Sequence, residues 1–250
     1  VTGGFRDRLQ VLAAIEPSHF WFAGRRTLVE RLLRRLGPGA GLALDAGCGT
    51  GALLEALAGH GWQPVGVDLL AGRTVAQASA CADPERRRKP APLVRASAEQ
   101  LPFADAVFAG ALLLDVLEHA DDARVLASVH RVLKPAGWAL IAVPAMPWMW
   151  SHRDLAAGHL RRYTRRSLRA VLAGAGFDVV EMRYYQCLLF PIVVLTRWLG
   201  RGGPAWRDRE DRPPRWLNAL LRGVNRVEAR LSDAIPWPWG SSLFAMGRKR

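Results

Sequence analysis

The stretch Leu42-Ala43-Leu44-Asp45-Ala46-Gly47-Cys48-Gly49-Thr50-Gly51 is a short apolar run that ends in an acid and then a glycine-rich turn. The run before Asp45 is too short for a helix and too apolar for a surface loop, and residues 52–60 carry a helical pattern, so the unit reads strand, tight turn, helix. Glycines at alternate positions remove the Cβ atoms that block close approach, and the helix start behind them presents unpaired N–H groups. The turn is therefore expected to hold a ligand. Spacing discriminates among ligands. A dinucleotide fingerprint needs Gly-x-Gly-x-x-Gly, whereas here the third glycine comes one residue early, in Gly47, Gly49 and Gly51. Asp45 is badly placed beside a pyrophosphate and suits a cationic ligand. A second apolar strand, Pro64-Val65-Gly66-Val67-Asp68, ends in an acid about twenty residues on, where a carboxylate can accept from both hydroxyls of a ribose.

With those residues the chain resembles the class I S-adenosylmethionine-dependent methyltransferases, whose first motif reads much like Leu44-Asp45-Ala46-Gly47-Cys48-Gly49-Thr50-Gly51. Beyond residue 137, the His159-Leu160-Arg161-Arg162-Tyr163-Thr164 pattern and the apolar C-terminal segment look like a bacterial subgroup of type 11/23. The resemblance implies an α/β fold: a doubly wound Rossmann-like sheet, mostly parallel with an antiparallel last strand. N-terminal helices precede the sheet, and a helical insertion comes before the last strand. It implies S-adenosylmethionine as cofactor, with contacts from Asp45, Gly47, Cys48, Gly49 and Gly51 in the turn, Asp68 and Leu69 at the second strand end, and Leu114 at the fourth. Ala96-Ser97-Ala98-Glu99-Gln100-Leu101-Pro102-Phe103 resembles the family's adenine loop, with Ser97 where an acid is common. The adenine contact then falls to Ser97 Oγ, to backbone at Ala98, or to Glu99.

The rest of the chain alternates in a compatible way. Residues 106–114 form an apolar run suited to a strand buried on both faces. Asp121-Asp122 reads as the cap of a helix that Lys134-Pro135-Ala136-Gly137 ends, and residues 138–144 as another buried strand. Alternating strands and helices favour a parallel sheet with right-handed crossovers. Length suits one domain, 1–250, with a helical cap at 1–40, a cofactor core at 41–143, and the substrate loop, insertion and last strands at 144–250. Phe20-Trp21-Phe22 reads as packing or as a lid, ahead of a helix over 24–36. An apolar segment at 184–199 is broken at Pro191. A helix at 215–231 places Trp216, Leu217, Leu220, Leu221, Val224 and Val227 on one side and arginines on the other.

Lysine and arginine total 35 against 22 acids, giving a formal charge of +13, which raises the prior for an anionic partner. Nucleic acid is disfavoured as acceptor, because no base-flipping tetrad or appended nucleic-acid module accompanies the charge. The three cysteines, Cys48, Cys81 and Cys187, lack zinc spacing, so no metal is expected and a reducing cytoplasm is. The start shows no signal-peptide pattern and no run reaches the roughly twenty apolar residues that span a bilayer. Peripheral contact at the inner face of an anionic membrane is the expected exception, through the basic helix.

Substrate chemistry is expected on the loop after residue 144. Trp148 and Trp150 suit an apolar wall, His152, Asp154 and His159 suit a base or its orienter, and Arg161, Arg162 and Tyr163 suit an anion grip. His152, His159 and Tyr163 are the candidate catalytic residues. His119, with Glu118, reads as local architecture. The expected reaction is methyl transfer to O or N of a small molecule, lipid-linked or glycan-related. The alternatives are a non-catalytic cofactor-binding or membrane-associated accessory protein, and a nicotinamide-dependent oxidoreductase.

Overall fold

The computed structural model describes residues 15–16, 18–70, 91–199, 213–232 and 234–250. The expected helices before residue 15 and at 73–82, the charged loop at 83–90, Cys81 and the Gly/Pro/Arg-rich stretch at 200–212 lie outside the described residues.

Apolar runs too short for helices become strands β1 (Leu42–Ala46), β2 (Gln63–Asp68), β3 (Leu93–Arg95), β4 (Phe108–Leu114), β5 (Leu133–Pro144), β6 (Phe177–Tyr185) and β7 (Ser242–Lys249). They form one seven-stranded sheet in the order β3-β2-β1-β4-β5-β7-β6. β1 to β5 pair in parallel, and β7 runs antiparallel to both β5 and β6. Strand order reverses between β1 and β4. The carboxyl ends of those two strands therefore flank the switch point where open α/β sheets take ligands.

The helices are α1 (Phe20–Leu36), α2 (Ala52–Gly59), α3 (Asp122–Val132), α4 (His152–Ala157), α5 (Arg165–Gly174), α6 (Phe190–Leu199) and α7 (Arg215–Leu231). Along β4, Ala111 and Leu113 pack with Val125 and Val129 of α3 and Leu168 and Leu172 of α5. Leu112 and Leu114 pack on the other face with Val29 and Leu32 of α1 and Leu57 of α2. Successive strand residues point to opposite faces, so burial on both sides requires the unbroken apolar run.

Four readings of the sequence are corrected. β5 begins at Leu133, which pairs with Phe108, and a bulge separates this pair from Gly110 opposite Trp138. Lys134-Pro135-Ala136-Gly137 lies inside that irregular strand, because Leu133 already turns extended at the end of α3 and no glycine cap is used. α1 starts at Phe20, so the aromatic trio is its first turn, with the His19 ring accepting from Trp21 N at 3.2 Å. Pro191 is the second residue of α6, a first-turn position where its missing N–H has no intrahelical partner to lose.

The fourth correction concerns α7. Its buried residues are Asn225, Glu228 and Ala229. Asn218 Oδ1 accepts from Phe20 N at 2.8 Å, Asn225 Nδ2 donates to Phe20 O at 2.9 Å, and Glu228 Oε2 accepts from Leu188 N at 2.9 Å. A polar face thus docks this helix on α1 and on the chain before α6. Trp216, Leu220, Val227 and Leu231, which share a helical face, are exposed instead.

Candidate active site

The turn between β1 and α2 is built from residues that only glycine suits. Gly47, Gly49 and Gly51 all have positive φ, at 78°, 52° and 82°. A Cβ on Gly47 would stand 2.5 Å from Val116 Cγ2, so the turn also depends on close approach to the β4 end. Its N–H groups are spent within the protein: Gly47 N and Cys48 N donate to Val67 O at 2.7 and 3.0 Å, and Gly51 N to Cys48 O at 2.8 Å. Gly49 N donates to Asp68 Oδ2 at 3.0 Å, while Leu70 N donates to Asp68 Oδ1 at 2.9 Å. These four turn donors are committed within the protein and are distinct from the helix-start donors read from the sequence. Asp68 keeps lone pairs for a ribose diol, since a carboxylate offers about four acceptor sites.

Asp45 is 2% exposed and its Oδ2 has no hydrogen-bond partner among the described residues. It lines an open cleft with the glycine turn and Leu114 on one side and Glu16, Phe22 and Arg25 on the other. Burial, opposed by Arg25 and reinforced by Glu16 and Asp68, raises the Asp45 carboxyl to about 7. An orphaned buried acid beside further carboxylates is a site for a cation, and a sulfonium bearing an ammonium group fits it. Phe22 on the cleft wall supports the lid reading of the aromatic trio. A cationic ligand favours ionised Asp45, so S-adenosylmethionine should bind more weakly as pH falls through about 7 and should release protons on binding there. Calorimetry in buffers of different ionisation enthalpy checks this, and pH-independent affinity between 5.5 and 8, as rough limits, would count against it.

Arg25 was not singled out in the sequence, although its spacing from Phe22 puts the two on one face of α1. The guanidinium lies 5.3 Å from the centre of the Phe22 ring and pairs with Asp115, a left-handed residue (φ 57°) just beyond β4. Glu16 accepts from Thr50 Oγ1 and so closes the glycine turn from the N-terminal side. At the adenine loop, Ser97 Oγ accepts from Glu99 N at 3.2 Å. The Glu99 carboxylate accepts from Asp121 N at 3.1 Å and pairs with Arg124 at 3.3 Å. Both Ser97 and Glu99 are thus partly engaged within the protein. Leu69, 60% exposed beside Asp68, offers an apolar surface.

On the acceptor side, β4 continues through Asp115 and Val116 into a short 3-10 turn, Leu117–His119. Glu118 is wholly buried, and neither carboxyl oxygen has a hydrogen-bond partner among the described residues. Leu160 N donates to Glu118 O at 2.7 Å, and His119 Nδ1 lies 3.3 Å from Gly158 O, so this turn is stitched to the segment after α4. Asp154, 1% exposed, is the hub of that segment. It accepts from Ser151 N at 2.9 Å, Arg162 Nε at 2.7 Å and Arg197 Nη1 at 3.2 Å, and binds His159 Nδ1 at 2.9 Å. Burial alone would raise Asp154, but His159, Arg162 and Arg197 hold it well below the usual carboxylate range.

The expected catalytic residues divide here. His159 is oriented by Asp154 and lies edge-on to His119 with ring centres 4.9 Å apart. His152 opens α4 and is half-buried. Tyr163 is 2% exposed, its hydroxyl 2.8 Å from Asp122 Oδ2 and 3.2 Å from Leu117 O, and burial pushes its phenol up. Its hydroxyl thus ties this segment to the turn after β4 and to the start of α3. Arg161 is paired with Asp122 at 2.9 Å, and Arg162 is buried on Asp154 and on Ala145 O, so neither is left to grip an anion. Trp148 is 64% exposed, edge-on to Phe190 at 6.0 Å, and does not wall a closed pocket.

A left-handed glycine turn, an orphaned acid behind it, a second acid at the next strand end and this strand order define a class I S-adenosylmethionine-dependent methyltransferase. Residues 20–182 match the family model described as a methyltransferase domain, and the chain belongs to that family. It is 32% identical over 193 residues to the O-methyltransferase cnsE of Penicillium expansum, covering 70% of this chain and 68% of that protein. It is 37% identical over 120 residues to the O-methyltransferase resE of Aspergillus sclerotiorum, of whose length it spans 45%, with 45% of this chain matched. Both relatives are fungal, whereas the sequence resemblance points to a bacterial subgroup. Among solved structures, the Burkholderia thailandensis 1,6-didemethyltoxoflavin-N1-methyltransferase with bound S-adenosylhomocysteine shares the fold. The TM-score is 0.55 at 21% identity, over 91% of this chain and 78% of that one.

Proposed function

We propose that the chain methylates a hydroxyl oxygen of a small molecule. The observation that carries this reading is the Glu118, His119 and His159 cluster at the end of the strand that lines the cofactor cleft. An alcohol is a poor nucleophile until its proton leaves, and such a cluster supports that loss. The two O-methyltransferase relatives support oxygen as the acceptor atom. When bound, S-adenosylmethionine would supply an electrophilic sulfonium methyl for the acceptor oxygen and leave as the neutral thioether, the hydroxyl proton passing to solvent beside the Glu118, His119 and His159 cluster.

The chain's own residues bind and align. Asp68 accepts the ribose hydroxyls, Leu69 and Ser97 border the adenine, and Asp45 faces the ammonium group. Arg25, which lines the same cleft, would hold the methionine carboxylate. Asp154 fixes the ring of His159, and His152 stands at the mouth of the same loop. Product analysis tests the acceptor atom. Mass spectrometry and NMR of the methylated product should show an O-methyl group, and an N-methyl product would overturn the oxygen assignment.

A further feature, the exposed apolar stripe of α7, supports a lipid-linked acceptor and peripheral membrane contact. No helix among the described residues is long and apolar enough to cross a membrane. Trp216 is 70% exposed on α7, in line with Leu220, Val227 and Leu231, and Arg215, Arg226 and Arg230 flank that stripe. Cosedimentation with anionic vesicles should be measurable at low salt and fall with ionic strength. Absence of binding at low salt would leave α7 as a docking helix only.

A further inference from the structure

The acceptor-side cluster holds more than a proton acceptor needs. One ligand-capable atom each from Glu118, His119 and His159 lies within 4.8 Å of the others. Glu118 is fully buried with both oxygens unpartnered among the described residues, a costly arrangement unless a ligand completes it. His159 is already set up as a ligand. Asp154 Oδ1 receives Arg162 Nε at 2.7 Å and lies 2.9 Å from His159 Nδ1, which leaves Nε2 as the ring nitrogen that Asp154 does not engage. A carboxylate fixing the far nitrogen of a ligating histidine is the common outer-shell arrangement at metal centres.

We propose that Glu118, His119 and His159 bind one divalent first-row transition metal ion, of the Zn²⁺, Co²⁺ or Mn²⁺ class, with Asp154 as the residue that positions His159. Two imidazoles and one carboxylate suit such ions, whereas Ca²⁺ and Mg²⁺ take sets of oxygen ligands. With metal–ligand bonds of about 2.0–2.2 Å, the three side chains close on an ion by small rotations. Three protein ligands leave a coordination position open. The cluster begins four residues after Leu114, and Val116 between them packs against Gly47 of the cofactor turn. An acceptor hydroxyl at the open position would therefore lie on the methyl side of the cleft. Coordination lowers the pKa of a bound hydroxyl, so its proton passes to water as the oxygen attacks. This role rests on the acceptor-side reading above; the binding site itself does not.

The test uses the full chain, freed of affinity-tag histidines, stripped with a chelator and titrated with Co²⁺. Visible absorbance reports the ligand field, and equilibrium dialysis with elemental analysis gives stoichiometry. One Co²⁺ per chain is expected, with affinity at least about 100-fold weaker in His159→Ala and His119→Ala. His119 is exposed, so its variant should fold; unchanged circular dichroism and S-adenosylmethionine affinity check that. His152→Ala should keep the ion. No stoichiometric Co²⁺ in the native chain, or full retention in both His119→Ala and His159→Ala, overturns the proposal. If the ion binds as stated and no hydroxyl acceptor is ever methylated, the metal site stands and the acceptor-side reading falls.

Discussion

Asp68→Ala should bind S-adenosylmethionine about tenfold more weakly or worse, while the chain stays folded. Asp68 ends β2 beside the glycine turn, and its two oxygens already accept from Gly49 N and Leu70 N. The carboxylate is therefore fixed before any ligand arrives, and its remaining lone pairs are pre-aimed. Each charged hydrogen bond to a ribose hydroxyl is worth roughly 1.5–3 kcal/mol, and about 1.4 kcal/mol is a factor of ten. Removing the side chain also strips Gly49 N of its partner and loosens the turn. Asp68→Asn keeps one acceptor oxygen and should lose less. Calorimetry that finds native affinity in a folded Asp68→Ala chain would remove the ribose assignment.

His159→Ala should lower turnover by roughly 10²–10⁴-fold with S-adenosylmethionine affinity nearly unchanged, the range for losing a positioned group that acts on the acceptor's proton. The ring is held by Asp154 from behind and abuts His119, and neither contact involves the cofactor cleft. Loss of binding and loss of turnover should therefore separate. His152→Ala, which lacks a comparable orienting partner among the described residues, should cost less. Single-turnover rates at saturating cofactor measure the effect. Full turnover in both variants would reduce this loop to substrate positioning.

The fold was legible because its decisive signals are local. The β1 run, the early third glycine and the acids at 45 and 68 each follow from a few neighbouring residues, and the mostly parallel sheet follows from alternation. The bulge at Lys134–Gly137 was less so, since proline and glycine after a helix read equally as a stop. The orientation of α7 was illegible for a different reason. Apolar periodicity marks a buried face by default, but here Asn218, Asn225 and Glu228 dock through specific hydrogen bonds to backbone of the α1 segment and Leu188.

The site divides in the same way. Asp45, Asp68 and the glycines sit where their sequence motif places them, because a strand-turn-helix unit carries its geometry with it. The acceptor side depends on contacts across tens of residues. Asp154 joins Arg162 of the connector before α5 and Arg197 of α6, and Arg25 reaches Asp115 from α1. No sequence spacing signals those pairs, so the bonds that engage Tyr163 and Arg162 within the protein were not legible. Glu118 and His119 looked architectural, yet with His159 they form the one His/Glu cluster of ligating geometry among the described residues.

The most direct measurement is transfer of labelled methyl from S-adenosylmethionine to small molecules of a cell extract by the purified native chain. The account predicts label in a small-molecule methyl ether, with one S-adenosylhomocysteine formed per methyl transferred and both reduced about tenfold or more in Asp68→Ala at limiting cofactor. S-adenosylmethionine bound in the cleft yet never consumed with any acceptor in the extract would contradict it, and would mark the chain as a cofactor-binding accessory protein.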